Sequence, residues 1–258
     1  MNARNALCFI AGLAAFAATT TLSTSTALAQ QKPPASGRGF LFGAPAGSLA
    51  LRVGYSGANA GSDVFAQVTN ELTLRKKDFG SFAMGGDLSF SVAPRFDVML
   101  SVDTDAMEKK SEFREWIDND GNPIEQSTAF SRQSYMVSAK YYLLPHGRSL
   151  GRFAWVPARY APWVSAGAGR IAYTFSQNGD FIDHEQNDKV FHDSFKSSKW
   201  GNSAHVSAGI DWSLTHRFAL TSQARYLFGK AELEPDYSGF DPIDLSGLGL
   251  TAGLTIRF

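Results

Sequence analysis

The sequence predicts an all-β protein, an antiparallel up-and-down β-barrel of about eight strands that crosses a membrane. Three observations predict it. Apolar and polar residues alternate at period two over many short segments, long polar connections alternate with short turns, and the apolar face of the alternation is continuous. After the amino-terminal leader no segment has the pattern of a long helix, and none approaches the ~18 consecutive apolar residues of a spanning helix.

The chain divides into three segments. Residues 1–29 read as a secretory signal peptide, with Arg4 before a short apolar core and Ala27-Leu28-Ala29 as a cleavage pattern. Residues 30–47 are rich in Pro and Gly and read as a linker, and residues 48–258 form the barrel domain. The one cysteine, Cys8, lies in the leader, so a cleaved chain would have no disulfide, thiol nucleophile or thiolate metal site.

The alternation defines the strands. The carboxy-terminal strand shows it most clearly, with one apolar face made by Leu248, Leu250, Ala252, Leu254, Ile256 and Phe258. Further strands are predicted at 49–55, 82–92, 96–103, 134–143, 163–175, 204–212 and 218–228. In 163–175 the alternation is less regular, and we expect Trp163, Ile171, Tyr173 and Phe175 to face outward, which puts Arg170 inside.

The polar face carries charges of both signs, which points to a membrane. A soluble barrel fills its interior with apolar side chains, whereas a membrane barrel has an apolar outside and a polar lumen. We therefore expect a lumen charge network of Arg52, Asp87, Asp97, Asp103, Lys140, Arg170, Asp211 and Arg225. Aromatic residues near strand ends on the apolar face predict interfacial girdles: Tyr55, Phe82, Phe96, Tyr135, Trp163, Tyr173, Trp212, Phe218, Tyr226, Phe228 and Phe258. A soluble periplasmic barrel of lipocalin type is the competing interpretation.

The connections predict the orientation. Residues 57–80, 106–126 and 176–199 are long and polar, 93–96 and 215–217 are tight turns, and 145–161 and 230–245 are intermediate. Seven connections join eight strands, so both termini would lie on the periplasmic side. Two alternatives concern the first loop. A strand starting at Thr69–Leu74 would suggest ten strands, while the spacing of Val64, Phe65, Val68 and Leu72 would suit a short helix.

These features resemble the small outer-membrane β-barrel proteins of Gram-negative bacteria, the OmpA-, OmpX- and OmpW-type barrels. The resemblance covers about residues 40–258, and the segments Tyr141–Pro145, Phe153–Pro157 and Phe240–Gly247 are similar to an uncharacterised subgroup. It implies outer-membrane lipid, lipopolysaccharide and the barrel-assembly machinery as partners, with Phe258 as the carboxy-terminal assembly signal. Because the sequence stops at Phe258, we expect no peptidoglycan-binding domain of the OmpA kind.

Candidate chemistry is sparse. His205 and Ser207 resemble the His-x-Ser pair of outer-membrane lipid A deacylases, where His activates Ser, but the alternation places both in the lumen. The acidic and histidine-containing loop 180–193 matches no metal motif, and 118–122 reads as a turn. We expect no cofactor and no metal. Formal net charge is +0, which disfavours a nucleic-acid partner.

Three functions remain open at this point. The first is a structural or surface-interaction protein of the outer membrane, with a lumen plugged by its side chains because an eight-stranded barrel is about filled by them. The second is a narrow, porin-like channel or transporter for small solutes. The third is a lipid-modifying enzyme. The first, a non-enzymatic role, is the prediction, and the surface-loop ligand is unknown.

Overall fold

The computed structural model describes residues 39–117, 121–151, 153–183 and 189–258. The predicted signal peptide and the first part of the predicted linker lie outside the described residues. Within the described part, one helix and thirteen strands follow one another, with short 3-10 turns at Lys76–Phe79 and Pro235–Tyr237. They are β1 (Leu41–Phe42), β2 (Gly47–Ala58), α1 (Asp63–Glu71), β3 (Ser81–Ala93), β4 (Phe96–Ile117), β5 (Pro123–Tyr142), β6 (Gly147–Leu150), β7 (Ala154–Pro157), β8 (Tyr160–Asp183), β9 (Lys189–Ser197), β10 (Trp200–Ser213), β11 (Phe218–Ala231), β12 (Ile243–Asp244) and β13 (Gly247–Arg257).

Eight of these strands close into one antiparallel ring. The pairing order is β2, β3, β4, β5, β8, β10, β11 and β13, and β13 pairs again with β2 from Gly247↔Ala58 to Arg257↔Ser48. The predicted fold class and strand count are therefore confirmed. Two more strands lie outside the ring, β9 beside β8 and β12 beside β11, and β1, β7 and β6 form a separate three-stranded sheet. Residues 63–71 form the helical alternative for the first loop, not an additional strand.

The connections fall at two ends. The lower end, as we call it, holds the turn at 94–95, the segment 143–159, the turn at 214–217 and Phe258. The upper end holds 59–80, 232–246 and the tips of the β4–β5 and β8–β9 hairpins. This is the predicted separation of short turns from long loops. Two of the predicted long loops, 106–126 and 176–199, are mostly strand, because polar residues continue the β4, β5 and β8 pairings above the apolar part.

The two faces of the ring differ as predicted. Large apolar side chains are exposed on the outer face, among them Leu51, Phe82, Val137 and Leu250 at 63%, 58%, 57% and 58% exposure. Ser, Thr, Gln and charged side chains are buried on the inner face. No helix among the described residues is long and apolar enough to cross a membrane.

The predicted facing of β8 is wrong. Trp163, Ile171, Tyr173 and Phe175 are buried on the inner face, whereas Arg170 is exposed and pairs with Tyr135 on the outer face. For Ile171, Tyr173 and Phe175 the reason is that the upper lumen is apolar: here inward aromatic and aliphatic side chains pack beneath the first loop, so polarity no longer marks the inner face. Trp163 lies nearer the lower end, where its indole Nε1 donates to the buried carboxylate of Asp211. Trp163 and Tyr173 consequently do not belong to the outer aromatic girdles.

Candidate functional site

The central feature of the lumen is a cluster of two arginines and two aspartates. Arg52 on β2 donates to both carboxylate oxygens of Asp87 on β3, at 2.6 and 2.8 Å, and to Oδ1 of Asp103 on β4 at 2.8 Å. Arg225 on β11 reaches across the lumen to Asp103, and its Nη2 lies 3.7 Å from Asp87 Oδ1. The bidentate Arg52–Asp87 pairing is among the stronger hydrogen bonds in proteins and joins the neighbouring strands β2 and β3. The Arg225–Asp103 contact links the opposite walls β11 and β4.

A second charged group lies nearer the lower end. Asp211 on β10 accepts from Lys140 Nζ at 3.0 Å, from Trp163 Nε1 at 3.0 Å and from the Thr221 hydroxyl at 2.8 Å. Lys140 Nζ also lies 4.3 Å from the ring centre of Trp163. Every charged atom here has a partner, which a buried ion pair needs to offset its desolvation.

A third group, near the upper end, is not anticipated by the sequence. Arg132 on β5 pairs with Asp105 at 3.1 Å and donates to the carbonyl oxygen of Leu245 at 2.9 Å and to the Ser56 hydroxyl at 2.9 Å. The signal that would have found it is the period-two run Ile124, Gln126, Thr128, Phe130 and Arg132, which continues β5 upward with every member buried.

Of the eight predicted lumen charges, seven lie on the inner face. Six of them form the two clusters just described, and Asp97 lies buried by itself, with Oδ1 unpartnered among the described residues. Arg170 is on the outer face, as stated above. Arg132, Asp105 and Arg257 complete the inner set, which holds the cations Arg52, Arg132, Lys140, Arg225 and Arg257 and the carboxylates Asp87, Asp97, Asp103, Asp105 and Asp211. Among the described residues, five charges of each sign make the inner face formally neutral.

The His205 and Ser207 side chains lie inside the barrel, as the alternation predicts. His205 Nε2 is 3.3 Å from the Ser138 hydroxyl, while the Ser207 hydroxyl is 2.6 Å from that of Ser165. Each side chain thus has another partner, and no carboxylate of the described residues orients the His205 ring, whose Nδ1 is unpartnered. Both are buried away from the outer, apolar face.

The upper mouth is covered by an apolar cap, made of the first loop and the 232–246 connection. Within α1 the spacing of Val64, Phe65 and Val68 puts three apolar side chains on one face, and all three are buried. Phe65 contacts three rings, with centroid distances of 4.8 Å to Phe79, 5.3 Å to Phe130 and 5.6 Å to Phe175. The further buried members are Ala60, Leu72, Leu74, Ile171, Tyr173, Ala231, Tyr237, Ile243 and Leu245.

Polar contacts fasten this cap at its edges. Asp78, in the 3-10 turn, accepts from Lys109 on β4 at 2.6 Å and from the backbone N–H of Arg75 at 2.9 Å. The hydrogen bond from Lys109 is the main reason that the pKa of Asp78 lies below its ordinary value. On the opposite side, burial raises the pKa of the Tyr237 phenol, whose hydroxyl donates to the Phe195 carbonyl oxygen at 3.4 Å.

The lower mouth is crossed by the small β1–β7–β6 sheet. Trp155 on β7 is 3% exposed and points into the barrel, where the His146 ring stacks on Tyr142 with centroids 4.5 Å apart. The His146 and Trp155 centroids are 5.7 Å apart, and the Arg257 guanidinium lies 5.9 Å from the Trp155 ring. Burial lowers the pKa of His146. No sequence pattern predicted the packing of His146, Tyr142 and Trp155, because it depends on how the 143–159 segment folds back over the lower mouth.

The described residues hold no group of three or more His, Cys, Asp and Glu side chains arranged to bind a metal ion. In the loop 180–193, His192 Nδ1 lies 2.9 Å from Asp180 Oδ1, and both side chains are well exposed. The acidic and histidine side chains of this loop from Asp183 to Asp188 lie outside the residues whose side chains are described. Between the charge clusters a lumen cavity of about 50 Å³ is lined by Arg52, Asp103, Asp105, Arg132 and Arg225, with room for a few water molecules.

No protein-family model matches the chain, and no curated protein matches it. Among solved structures, the outer membrane protein OprG from Pseudomonas aeruginosa is 13% identical, with a TM-score of 0.44, covering 86% of this chain and 99% of OprG. Neisserial surface protein A is 11% identical, with a TM-score of 0.42, covering 82% of this chain and 96% of that chain. Outer Membrane Protein W of E. coli is 15% identical, with a TM-score of 0.37, covering 83% and 99% respectively. The resemblance predicted from the sequence is thus found among solved structures, but likenesses of this size point to no particular role.

Proposed function

We propose that this chain is an integral outer-membrane β-barrel protein with a structural or surface-interaction role and a plugged lumen. Its support is the distribution of polarity around a closed ring: exposed Leu, Val and Phe side chains cover the outside, and paired charges occupy the inside. This distribution is the reverse of that in a soluble barrel and suits contact with lipid. Closure of the ring leaves no unpaired strand edge around the eight-stranded part of the barrel, as hydrocarbon surroundings require.

The orientation follows from the two ends. The lower end, with its short turns and the Phe258 carboxy-terminus, would face the periplasm, and the upper end would face the cell exterior. The leader would direct export, and Phe258 would be read by the barrel-assembly machinery. The exposed Phe258 ring and its backbone pairing with Gly47 at 3.0 and 3.1 Å suit a strand end that joins the ring last.

The plug rests on three successive layers. The apolar cap covers the upper mouth, the paired charges cross the middle, and Trp155 with His146 and Tyr142 fills the lower mouth. Ion movement would require breaking buried charge pairs, each of which costs several kcal/mol to disrupt. The cavity of about 50 Å³ has room for a few water molecules but offers no wide path.

One observation favours a role at the surface: three ring strands are much longer than a membrane crossing. β4, β5 and β8 have 22, 20 and 24 residues, whereas a transmembrane strand needs about 9–11. With β9 they form a four-stranded wall that projects from the upper end. Its outer positions include exposed Glu108, Lys110 and Glu112, and a groove of about 540 Å³ opens beside it near Lys77 and Tyr55.

A narrow channel is the alternative function, and conductance separates the two. The full chain would be inserted into planar lipid bilayers and held at 100 mV of either sign. We expect no current steps above those of protein-free bilayers, because all three layers block the lumen. Reproducible single steps from the wild-type chain would contradict the plug and favour the channel. Insertion itself is checked by the mobility difference of boiled and unboiled samples from the same preparation.

A lipid-modifying enzyme is the least supported function. His205 and Ser207 would have to meet a substrate inside a lumen whose two mouths are covered, and lipid contacts only the outer face. Lipid A profiles from cells with the wild-type chain and with Ser207→Ala are expected to be identical. A difference between them would restore the enzymatic proposal.

A further inference from the structure

The lower end carries a repeated arginine–aromatic pair of residues whose side chains lie outside the lumen clusters described above. Three of the four strands that rise from this end begin with an exposed aromatic residue preceded by an exposed arginine: Arg95-Phe96 at β4, Arg159-Tyr160 at β8 and Arg217-Phe218 at β11. The fourth rising strand, β2, begins at Gly47 after Ala46. In the ring these three strands occupy alternate positions, separated by β5 and by β10.

The three aromatic side chains lie on the lowest paired positions of the outer face. Phe96 pairs with Tyr141, Tyr160 with Trp212, and Phe218 with Ile256. Phe96, Tyr160 and Phe218 are 37%, 44% and 40% exposed, on the same face as the apolar belt. Aromatic rings at such positions lie at the boundary between acyl chains and headgroups. The arginines, one residue lower, therefore reach the level of lipid phosphates, since a strand rises about 3.3 Å per residue.

These arginines are available for a ligand. The Arg159 guanidinium lies 5.3 Å from the Tyr160 ring, and the described residues provide no carboxylate partner for Arg95, Arg159 or Arg217. Guanidinium groups bind phosphate through two parallel hydrogen bonds, more specifically than an ammonium group does. The backbone carbonyls of Arg95 and Arg217 accept from Tyr142 and Arg257, at 2.9 and 2.8 Å, so both residues are fixed to the ring while their side chains stay free.

The exposed charged side chains of the two ends differ in composition. At the lower end, within the described residues, the acidic side chains Asp97 and Asp211 are both buried, so the exposed charged side chains there are arginines, including Arg148 on β6. The upper end instead exposes side chains of both signs. Its acidic members include Glu71, Glu108, Glu112, Glu115, Glu125, Asp193, Glu232, Asp236 and Asp241, and its basic members include Arg75, Lys76, Lys77, Lys109, Lys110, Arg114, Lys196 and Lys230. A positive rim beside an aromatic belt is complementary to an anionic phospholipid leaflet.

We propose that the three Arg–aromatic pairs form binding positions for the phosphates of anionic phospholipids in the periplasmic leaflet. The aromatic ring contacts the part of the acyl chain nearest the headgroup, and the guanidinium binds the phosphate beside it. This inference rests on the proposed function, since it needs the barrel to cross a bilayer with its lower end at a leaflet surface. It adds the chemical class of lipid that the lower rim selects.

The test measures lipid selectivity around the full chain. The protein is reconstituted into phosphatidylcholine bilayers that contain trace spin-labelled phosphatidylglycerol or phosphatidylcholine, and the motionally restricted fraction gives the relative association constant of the two lipids. One basic residue near an anionic lipid is worth about fivefold in affinity. We expect a phosphatidylglycerol preference of roughly threefold to fivefold, because only some boundary positions touch an arginine.

The matched variants remove three positive charges from one rim or the other. Arg95→Gln/Arg159→Gln/Arg217→Gln is expected to bring the ratio close to one. Lys76→Gln/Lys77→Gln/Lys110→Gln, with three exposed upper-end residues changed, should leave it as in the wild type. If the lower triple variant shows no heat-dependent mobility shift, the three single variants replace it, each with a partial loss of preference.

Three outcomes overturn the proposal. The wild-type chain would show no phosphatidylglycerol preference, or the lower variant would keep it, or the upper variant alone would lose it. A chain that fails to insert into bilayers is a separate result, since it overturns the proposed function and this inference along with it. Folded, inserted protein without lipid preference overturns the inference alone.

Discussion

Replacing Phe65 by Ala tests whether the apolar cap is a packed part of the barrel. Phe65 has 0% exposure and contacts Phe79, Phe130 and Phe175 at centroid distances of 4.8–5.6 Å. Truncating a fully buried Phe costs about 3–5 kcal/mol, as lost burial plus the cavity left behind. Because Phe130 and Phe175 lie on wall strands β5 and β8, the packing of Phe65 against them stabilises the attachment of the first loop to the barrel.

The assay is hydrogen exchange across residues 60–80 in the folded, membrane-inserted protein. Since about 1.4 kcal/mol is a factor of ten, a loss of about 3 kcal/mol or more should speed local exchange at least 100-fold. Exchange in the middle of β2 and β13 should change far less, because those strands open only with the ring.

Gln67→Ala is the matched control in the same helix. Gln67 is exposed, and its side chain makes one hydrogen bond of 2.9 Å to Glu71. We expect its effect to stay within about 0.5 kcal/mol. A packed cap would be refuted if hydrogen exchange across residues 60–80 in Phe65→Ala were less than tenfold faster than in the wild type, or no faster than in Gln67→Ala.

Three further perturbations follow from the same contacts. Asp211→Ala leaves the buried Lys140 ammonium without its carboxylate and should cost about 3–5 kcal/mol in denaturant unfolding; Asp211→Leu/Lys140→Met should recover most of that, and an equally unstable double variant would contradict the ion-pair account. The pKa of Asp78 is lowered in the folded state, so its contribution to stability is fully present above the ordinary pKa of 3.8 and is lost as pH falls through the folded-state pKa. Hydrogen exchange of residues 75–79, corrected for intrinsic rates, should therefore become faster in acid in the wild type and should not depend on pH in Asp78→Asn. Burial is the main cause of the lowered pKa of His146, with Arg257 and Lys140 lowering it further and Asp97 opposing them, so the stacking of His146 on Tyr142 is stable above the ordinary pKa of 6.5 and weakens as pH falls below it. Hydrogen exchange of residues 143–157 should therefore be faster at pH 5 than at pH 7.5 after correction for intrinsic rates. The variant His146→Gln should remove that difference.

Local pattern was sufficient to predict the ring. In strands such as 49–55 and 247–258 one face meets lipid and the other meets charged or small residues, so period two reports the facing directly. The same rule gave the inward direction of Arg52, Asp87, Lys140 and Asp211, whose partners only the structure supplies.

The rule failed where the lumen is apolar. At Ile171, Tyr173 and Phe175 the inner face packs against the cap, so the strand is apolar inside and Arg170 lies outside. The Arg132–Asp105 pair lies in the same region and was not predicted for the same reason. The stacking of His146 on Tyr142 depends on a connection that folds back over the lower mouth, and no local pattern encodes such a contact.

The most direct test of the central claim, a closed barrel with a lipid-facing exterior, is heat-modifiability after cell fractionation. Outer-membrane and soluble periplasmic fractions would be run on SDS gels, boiled and unboiled. We expect the protein in the outer-membrane fraction, with unboiled and boiled samples migrating differently, because a ring of eight paired strands resists detergent until heated. Recovery in the soluble periplasm without a mobility shift would contradict the membrane barrel, and the apolar face would then have to be covered by something other than lipid.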